Sequence, residues 1–97
     1  IKNNQMKKLS RNQMIKFIEK HMRFVRPSEE FGACGDGGIW VSGEDTDEFK
    51  GMPIYDYYAE GSSYELGVNV KWEEELNKRG WYSEWYDAGT IQIWPEW

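Results

Sequence analysis

Apolar residues recur every three to four positions near the start of the chain, and this spacing predicts an amphipathic helix over residues 10–25. At about 100° per residue its apolar face carries Met14, Ile15, Ile18, Met22 and Val25. Basic residues lie on the opposite face, namely Lys16, Lys20 and Arg23. Ser10 or Asn12 can cap the first turn, and Pro27 is expected to stop the helix because the residue before a proline is displaced from α geometry.

Shorter runs of β-branched and aromatic residues predict strands at 39–41, 52–59 and 64–68. The glycine-rich stretch 32–38 is expected to be a mobile turn, and 42–51 an acidic loop. Residues 64–72 fit the period of a strand and that of a helix. We therefore expect a strand over 64–68, followed by a helix that Asn69 caps, that runs to Arg79 and that Gly80 terminates.

The C-terminal pattern is a hairpin. Two aromatic or β-branched runs, 81–86 and 90–94, flank Asp87, Ala88 and Gly89, which predicts a bulged turn. Ile91 and Ile93 should share one face. The whole pattern predicts a small single α+β domain over 10–97, with a mainly antiparallel sheet of four to five strands and the second helix before the hairpin. Residues 1–9 are expected to be a flexible segment or not native to the protein.

Composition supports one compact domain in a reducing compartment. Ninety-seven residues with 16% aromatics are enough for one core. The single cysteine, Cys34, cannot form an internal disulfide, so we expect a cytoplasmic protein. The sequence has no run of 18 apolar residues, so we expect no membrane partner.

Charge is divided into two blocks. Residues 1–26 hold eight Lys/Arg against one acid, a net of +7, while residues 27–97 hold four Lys/Arg against sixteen acids, a net of −12, giving −5 overall. All six Trp and all six Tyr lie in the acidic block. Such segregation indicates an electrostatic partner, or docking of one block on the other.

The sequence carries only weak signals of catalysis or cofactor binding. Strand-like residues follow the glycine stretch, so it matches neither phosphate-binding signature. His21 lies towards the apolar face of the first helix, where a packed boundary residue is expected, and acidic surroundings would raise the pKa of Cys34. One Cys and one His cannot form a structural zinc site. We therefore expect no cofactor, no metal and no enzymatic activity.

Tryptophan and tyrosine among carboxylates are typical of a protein interface that receives a basic surface. We therefore predict a non-enzymatic interaction module, an inhibitor or adaptor that docks on a basic, nucleic-acid-binding protein surface. In size and composition the chain resembles the small inhibitors that phages and mobile elements use against restriction or CRISPR machinery, a likeness of type without a shared motif. The predicted partner-binding residues are Glu44, Asp45, Asp47, Glu48, Glu73, Glu74, Glu75, Glu84, Trp85 and Asp87.

Two alternatives remain open at this stage. Carboxylates beside aromatic residues also suit a ligand-binding, carbohydrate-binding or hydrolytic domain that uses Asp56, Glu84 and Asp87; the same carboxylates could also hold magnesium together with a substrate phosphate. The other alternative is direct nucleic-acid binding by the basic block, which the −12 of the other block disfavours. The residues that would carry it are Arg11, Lys16, Lys20, Arg23 and Arg26. The sequence does not indicate an oligomeric state.

Overall fold

The computed structural model describes residues 8–30, 35–44 and 47–96. Within these ranges the chain forms two nine-residue helices and eight short strands, as the α+β pattern predicts. In chain order they are α1 Arg11–Glu19, β1 Val25–Pro27, β2 Ile39–Ser42, β3 Glu48–Phe49, β4 Met52–Pro53, β5 Tyr64–Glu65, β6 Val68–Asn69, α2 Val70–Lys78, β7 Trp81–Asp87 and β8 Thr90–Pro95. A short 3₁₀ turn, Ser28–Glu30, follows β1.

A four-stranded antiparallel sheet organises the domain, with the strand order β1-β2-β8-β7. One face carries the fully buried Ile39, Val41, Ile91 and Ile93, so the predicted shared face of Ile91 and Ile93 is confirmed. The core that includes these residues also contains side chains of both helices, namely Met14, Ile18, Trp72 and Leu76. Burying these apolar side chains is the main stabilising contribution to the fold.

The opposite face of the sheet carries polar and aromatic residues from alternate positions. Gln92 is almost fully buried there, with 5% of its surface exposed. The Trp94 ring lies against Gly38, where a Cβ would stand 2.6 Å from the ring atoms. Glycine is therefore required at position 38 by this close contact. Trp94 is half-buried against the sheet, whereas Trp97 lies outside the described residues.

The first helix begins as predicted but ends earlier. Ser10 and Gln13 form a capping box, each side chain bonding the other's backbone N–H. The prediction of helix to Val25 was wrong, because α1 ends at Glu19 and Val25 pairs with Val41 in the sheet. Pro27 accordingly lies in an edge strand, which tolerates its missing N–H, and does not stop a helix.

The middle of the chain is less regular than predicted. In the predicted strand 52–59, Met52–Pro53 pairs with β3, and Tyr55 makes an isolated bridge to Val68. The predicted strand 64–68 is interrupted by a turn at Leu66 and Gly67, whose φ angles are 52° and 77°. It is therefore a two-stranded hairpin of β5 and β6.

The second helix and the two strands of the hairpin lie within one residue of their predicted boundaries, and α2 ends at Lys78 with Arg79 as its C-cap. The Asn69 side chain accepts bonds from the N–H groups of Lys71 (3.0 Å) and Trp72 (3.2 Å). Gly80 follows the helix with φ 88°, the left-handed geometry that favours glycine. The predicted bulge lies between Trp85 and Asp87.

Ion pairs join the two charge blocks. Arg23 Nε lies 3.1 Å from an Asp47 oxygen, and Arg26 Nε lies 3.7 Å from a Glu30 oxygen. Arg11 pairs with Glu29 in the same way. Each pair joins a cation of residues 1–26 to an acid of residues 27–97, so part of the segregated charge is neutralised within the fold.

Candidate functional site

A groove of about 470 Å³ lies between α2, β7 and the β5–β6 hairpin. Among the described residues, four carboxylates line it, and no lysine or arginine does. The carboxylates belong to Glu65, Glu73, Glu74 and Glu84. The remaining lining is largely apolar, from Leu66, Val68, Val70 and Trp85, with Asn77 and Ser83 as the neutral polar residues. The groove lining is therefore acidic and otherwise largely apolar.

Side chains of α2 fix one wall of the groove to the strand β7. The Ser83 N–H donates to Glu73 Oε2 at 2.9 Å, and Asn77 Nδ2 donates to the Trp81 carbonyl oxygen at 2.8 Å. Glu73 and Asn77 are four positions apart and so share one helix face. The helix is thus held to the strand by two polar bonds beside its apolar contacts.

Glu73 is the most perturbed carboxyl of the groove. Its Oε2 is bonded to Ser83, while its Oε1 is buried without a hydrogen-bond partner among the described residues. Burial raises the pKa of Glu73, and the bond from the Ser83 N–H offsets part of that rise. The side chains of Ser83 and Asn77 also lower the pKa, although neither completes a hydrogen bond to Oε1. Glu73 is therefore a buried carboxyl with one oxygen that no described residue satisfies.

The rim of the groove is apolar and exposed. Leu66 has 87% of its surface exposed and sits at positive φ, an unusual conformation for leucine. The Trp85 indole N–H donates to the Leu66 carbonyl oxygen at 2.7 Å, which holds the hairpin turn against β7. Tyr57 packs edge-on against Trp85 at 5.0 Å, and Tyr58, 80% exposed, packs on Tyr57. Exposed apolar groups of this kind mark interaction sites more often than isolated surface leucines do.

A buried hydrogen-bond chain connects the groove to the core. The Trp72 indole N–H donates to the Tyr55 hydroxyl at 2.9 Å, and that hydroxyl lies 2.8 Å from the Ser83 hydroxyl. Burial raises the pKa of Tyr55 well above its usual range, so the phenol stays neutral. The position of Ser83 in the groove is therefore fixed by the core.

The structure brings four of the ten predicted partner-binding residues into this groove: Glu73, Glu74, Glu84 and Trp85. Glu75 instead pairs with Arg79 at 2.9 Å and Lys78 at 3.3 Å, and these bonds lower its pKa. Because Glu73 is bonded to β7 and Glu75 to basic side chains of its own helix, residues 73–75 do not form one free acidic face.

The other predicted residues lie outside the groove. The acidic loop is divided: Asp47 pairs with Arg23, Glu44 and Glu48 are exposed, and Asp45 lies outside the described residues. Asp87 Oδ1 accepts from the Gly89 N–H at 2.9 Å and so stabilises the hairpin turn.

Six of the ten groove residues were not predicted to belong to a site, namely Glu65, Leu66, Val68, Val70, Asn77 and Ser83. For Glu65 and Leu66 the sequence did carry a signal. The available signal was the pair Leu66-Gly67 in the middle of an apparent strand, since glycine within a strand pattern indicates a bend or bulge. Such a bend places its flanking residue at a turn tip, where a leucine cannot be buried.

The residues of the catalytic alternatives have different local surroundings. Glu84 lines the groove, whereas Asp56 Oδ1 accepts from the Tyr58 N–H at 3.2 Å in a local turn. His21 packs among the rings of Phe17, Phe49 and Trp72 at 5.2–5.4 Å. Burial, followed by the charges of Lys20 and Arg79, lowers the pKa of His21. Cys34 lies outside the described residues.

In ranges 8–30, 35–44 and 47–96, no three His, Cys, Asp or Glu side chains are grouped so as to hold a metal ion. None of the described helices is long or apolar enough to cross a membrane. Comparison of the chain with protein-family models, curated proteins and solved structures found no match.

Proposed function

We propose that this protein is a non-enzymatic interaction module whose acidic groove binds a basic segment of a partner protein. The observation that carries the proposal is the set of four carboxylates around the groove, with no cation in its described lining. Lysine or arginine of a partner would supply the missing charge, and the carboxylates would also accelerate association. The exposed rim of Leu66, Tyr57 and Tyr58 supplies apolar contact area beside the charged contacts.

The most suitable partner class is a nucleic-acid-binding protein. Clustered Lys and Arg side chains are how such proteins neutralise phosphates, so their binding surfaces present the charge that this groove accepts. An inhibitor or adaptor that occupies such a surface, in the manner of the small nucleic-acid mimics of phages, is the form that we favour. The lone Cys34 supports a reducing compartment such as the cytoplasm.

Direct binding to nucleic acid has less support. Of the five residues that would carry it, Arg11, Arg23 and Arg26 already pair with acids of the other block. Lys16 on α1 and Lys20 just after it remain exposed. Two lysines offer little against the repulsion between phosphates and the acidic remainder of the chain.

The test uses a blocked hexapeptide of alternating valine and arginine, titrated by calorimetry at low and at physiological salt. We expect binding that weakens with salt, and no binding of the same peptide with glutamate in place of arginine. The triple variant E65K/E74K/E84K should weaken binding by about 30-fold or more, since three attractions become repulsions.

The matched control is E19K/E48K/E60K, which makes the same change of net charge at exposed sites outside the groove lining. It should retain binding within about threefold, the effect of net charge at a distance. Equal losses in both triple variants would show that only total charge matters, and would refute the groove as the site. A short DNA duplex should give no salt-dependent shift at the same concentrations.

A further inference from the structure

One edge of the main sheet, along β7, opens into the groove. In a strand, the N–H and C=O of one residue point to the same side, and those of the next residue point to the opposite side. The Ser83 N–H bonds Glu73 on α2, so Ser83 faces away from its ladder partner β8. Trp85, two residues further on, directs its backbone groups the same way.

The helix α2 covers the first part of this edge and leaves the rest open. The Asn77 side chain donates a hydrogen bond to the Trp81 carbonyl oxygen, and the Glu73 carboxylate accepts one from the Ser83 N–H. Beyond them, the described residues show no hydrogen bond from the groove side to the Ser83 carbonyl oxygen or the Trp85 N–H. The Ser83 carbonyl oxygen and the Trp85 N–H are the next acceptor and donor along this edge of the sheet. They face the space that the four carboxylates line.

We propose that the partner segment binds in extended conformation, as a short added strand paired with β7 at Ser83 and Trp85. This inference rests on the proposed function, because it specifies how the basic segment occupies the groove. Unpaired edge groups are a template for strand addition, in which main-chain bonds give affinity and alternate side chains give specificity.

The groove also sets the composition of that segment. Alternate side chains of an added strand point to opposite faces, and each face of this edge offers a different surface. Glu84 lies on the sheet face opposite the helices, while Val68 and Val70 lie on the helix side. An apolar residue flanked by arginine or lysine fits this arrangement.

Only a short stretch of the β7 edge is open to pairing with an added strand. Glu73 limits the open edge at one end, and the Trp85–Leu66 bond limits it at the other. At about 3.3 Å per residue, two or three partner residues fill this interval. The rest of the affinity must come from charge and from the rim.

The test uses the valine–arginine hexapeptide with backbone N-methylation at alternate residues, in the two possible sets. A strand added to β7 directs every second N–H at the protein, so methylation of one set should weaken binding by tenfold or more. The other set should bind within about threefold of the parent. Equal affinity for both sets, or equal loss in both, would overturn strand addition and leave charge-dependent groove binding intact.

A failure of the proposed function gives a different result, because the unmethylated parent would then not bind at all. Amide hydrogen exchange of the unaltered protein supplies an independent readout. Saturation with the parent peptide should slow exchange of the Trp85 amide by tenfold or more, while the Glu84 amide, which faces β8, should change little. An unchanged Trp85 amide in a saturated complex would overturn the strand geometry.

Discussion

The two helices of this protein have the same length and opposite surroundings. Each has nine residues, a side-chain cap at its start and an apolar stripe in the common core. On α1 the Lys16 side chain is exposed, as is that of Lys20 just beyond the end of the helix. The acids of α2 lie over a sheet edge, where Glu73 bonds the strand and Glu74 remains exposed in the groove.

This contrast shows that the groups packed beside a charged helix residue decide whether its charge is paired within the fold or remains available to a partner. The arginines near α1 are matched within the fold by Glu29, Glu30 and Asp47. In the groove, Glu65, Glu74 and Glu84 show no ion pair among the described residues. The basic block is therefore partly an internal counter-charge, while the acidic block keeps charge available to a partner.

The largest expected loss of stability comes from a substitution that removes packing shared by α1 and α2. Trp72 is fully buried, stacks on Phe17 of α1 at 5.7 Å and bonds Tyr55. Trp72→Ala should lower the free energy of unfolding by about 3–5 kcal/mol, measured by denaturant titration. Trp72→Phe keeps most of the packing and should cost clearly less. Equal costs for both variants would show that the indole bond to Tyr55, and not the ring volume, dominates.

A smaller loss of stability is expected when the N-cap side chain of either helix is removed, and the loss should differ between the two helices. Asn69 also donates to the backbone oxygens of Phe49 and Pro53 and is buried, whereas Ser10 is exposed. Asn69→Ala should therefore cost about 2 kcal/mol and Ser10→Ala about 1 kcal/mol. Thermal unfolding of both variants, scanned under identical conditions, measures the difference. A larger loss from Ser10→Ala would contradict the tighter anchoring of α2.

The smallest expected change in stability comes from Glu73, the carboxyl of α2 whose pKa is raised. Because the pKa of Glu73 is raised in the fold, ionising it destabilises the protein above that pKa, and the cost disappears below the ordinary glutamate value near 4.3. Glu73→Gln should therefore stabilise the protein by about 0.5 kcal/mol at pH 7. The advantage should vanish near pH 4.

Exposed Glu74→Gln is the matched control on the same helix, and it should show no gain in the free energy of unfolding at pH 7 relative to pH 4. Unfolding free energies of both variants at the two pH values complete the measurement. A gain from Glu73→Gln that is the same at pH 4 and pH 7 would exclude ionisation as its cause.

Local patterns predicted the elements whose boundaries depend on nearby residues. Asn69 and Gly80 set the ends of α2 through bonds and angles within a few positions, and the period of two in β8 placed Ile91 and Ile93 on one face. The end of α1 was not predictable in this way. Val25 reaches the core from a strand as well as from a helix, and its pairing with the distant Val41 decided the outcome.

The sequence by itself determined the α+β class, the second helix, the hairpin and the separation of charge into two blocks. Only the tertiary structure decided which acids are free. Arg23 and Asp47 are 24 positions apart, and Glu65 and Glu84 are 19 apart, so no local period relates them. Folding paired the first two and gathered the second two at one groove, because ion pairs and shared surfaces depend on distances in space that the core packing sets.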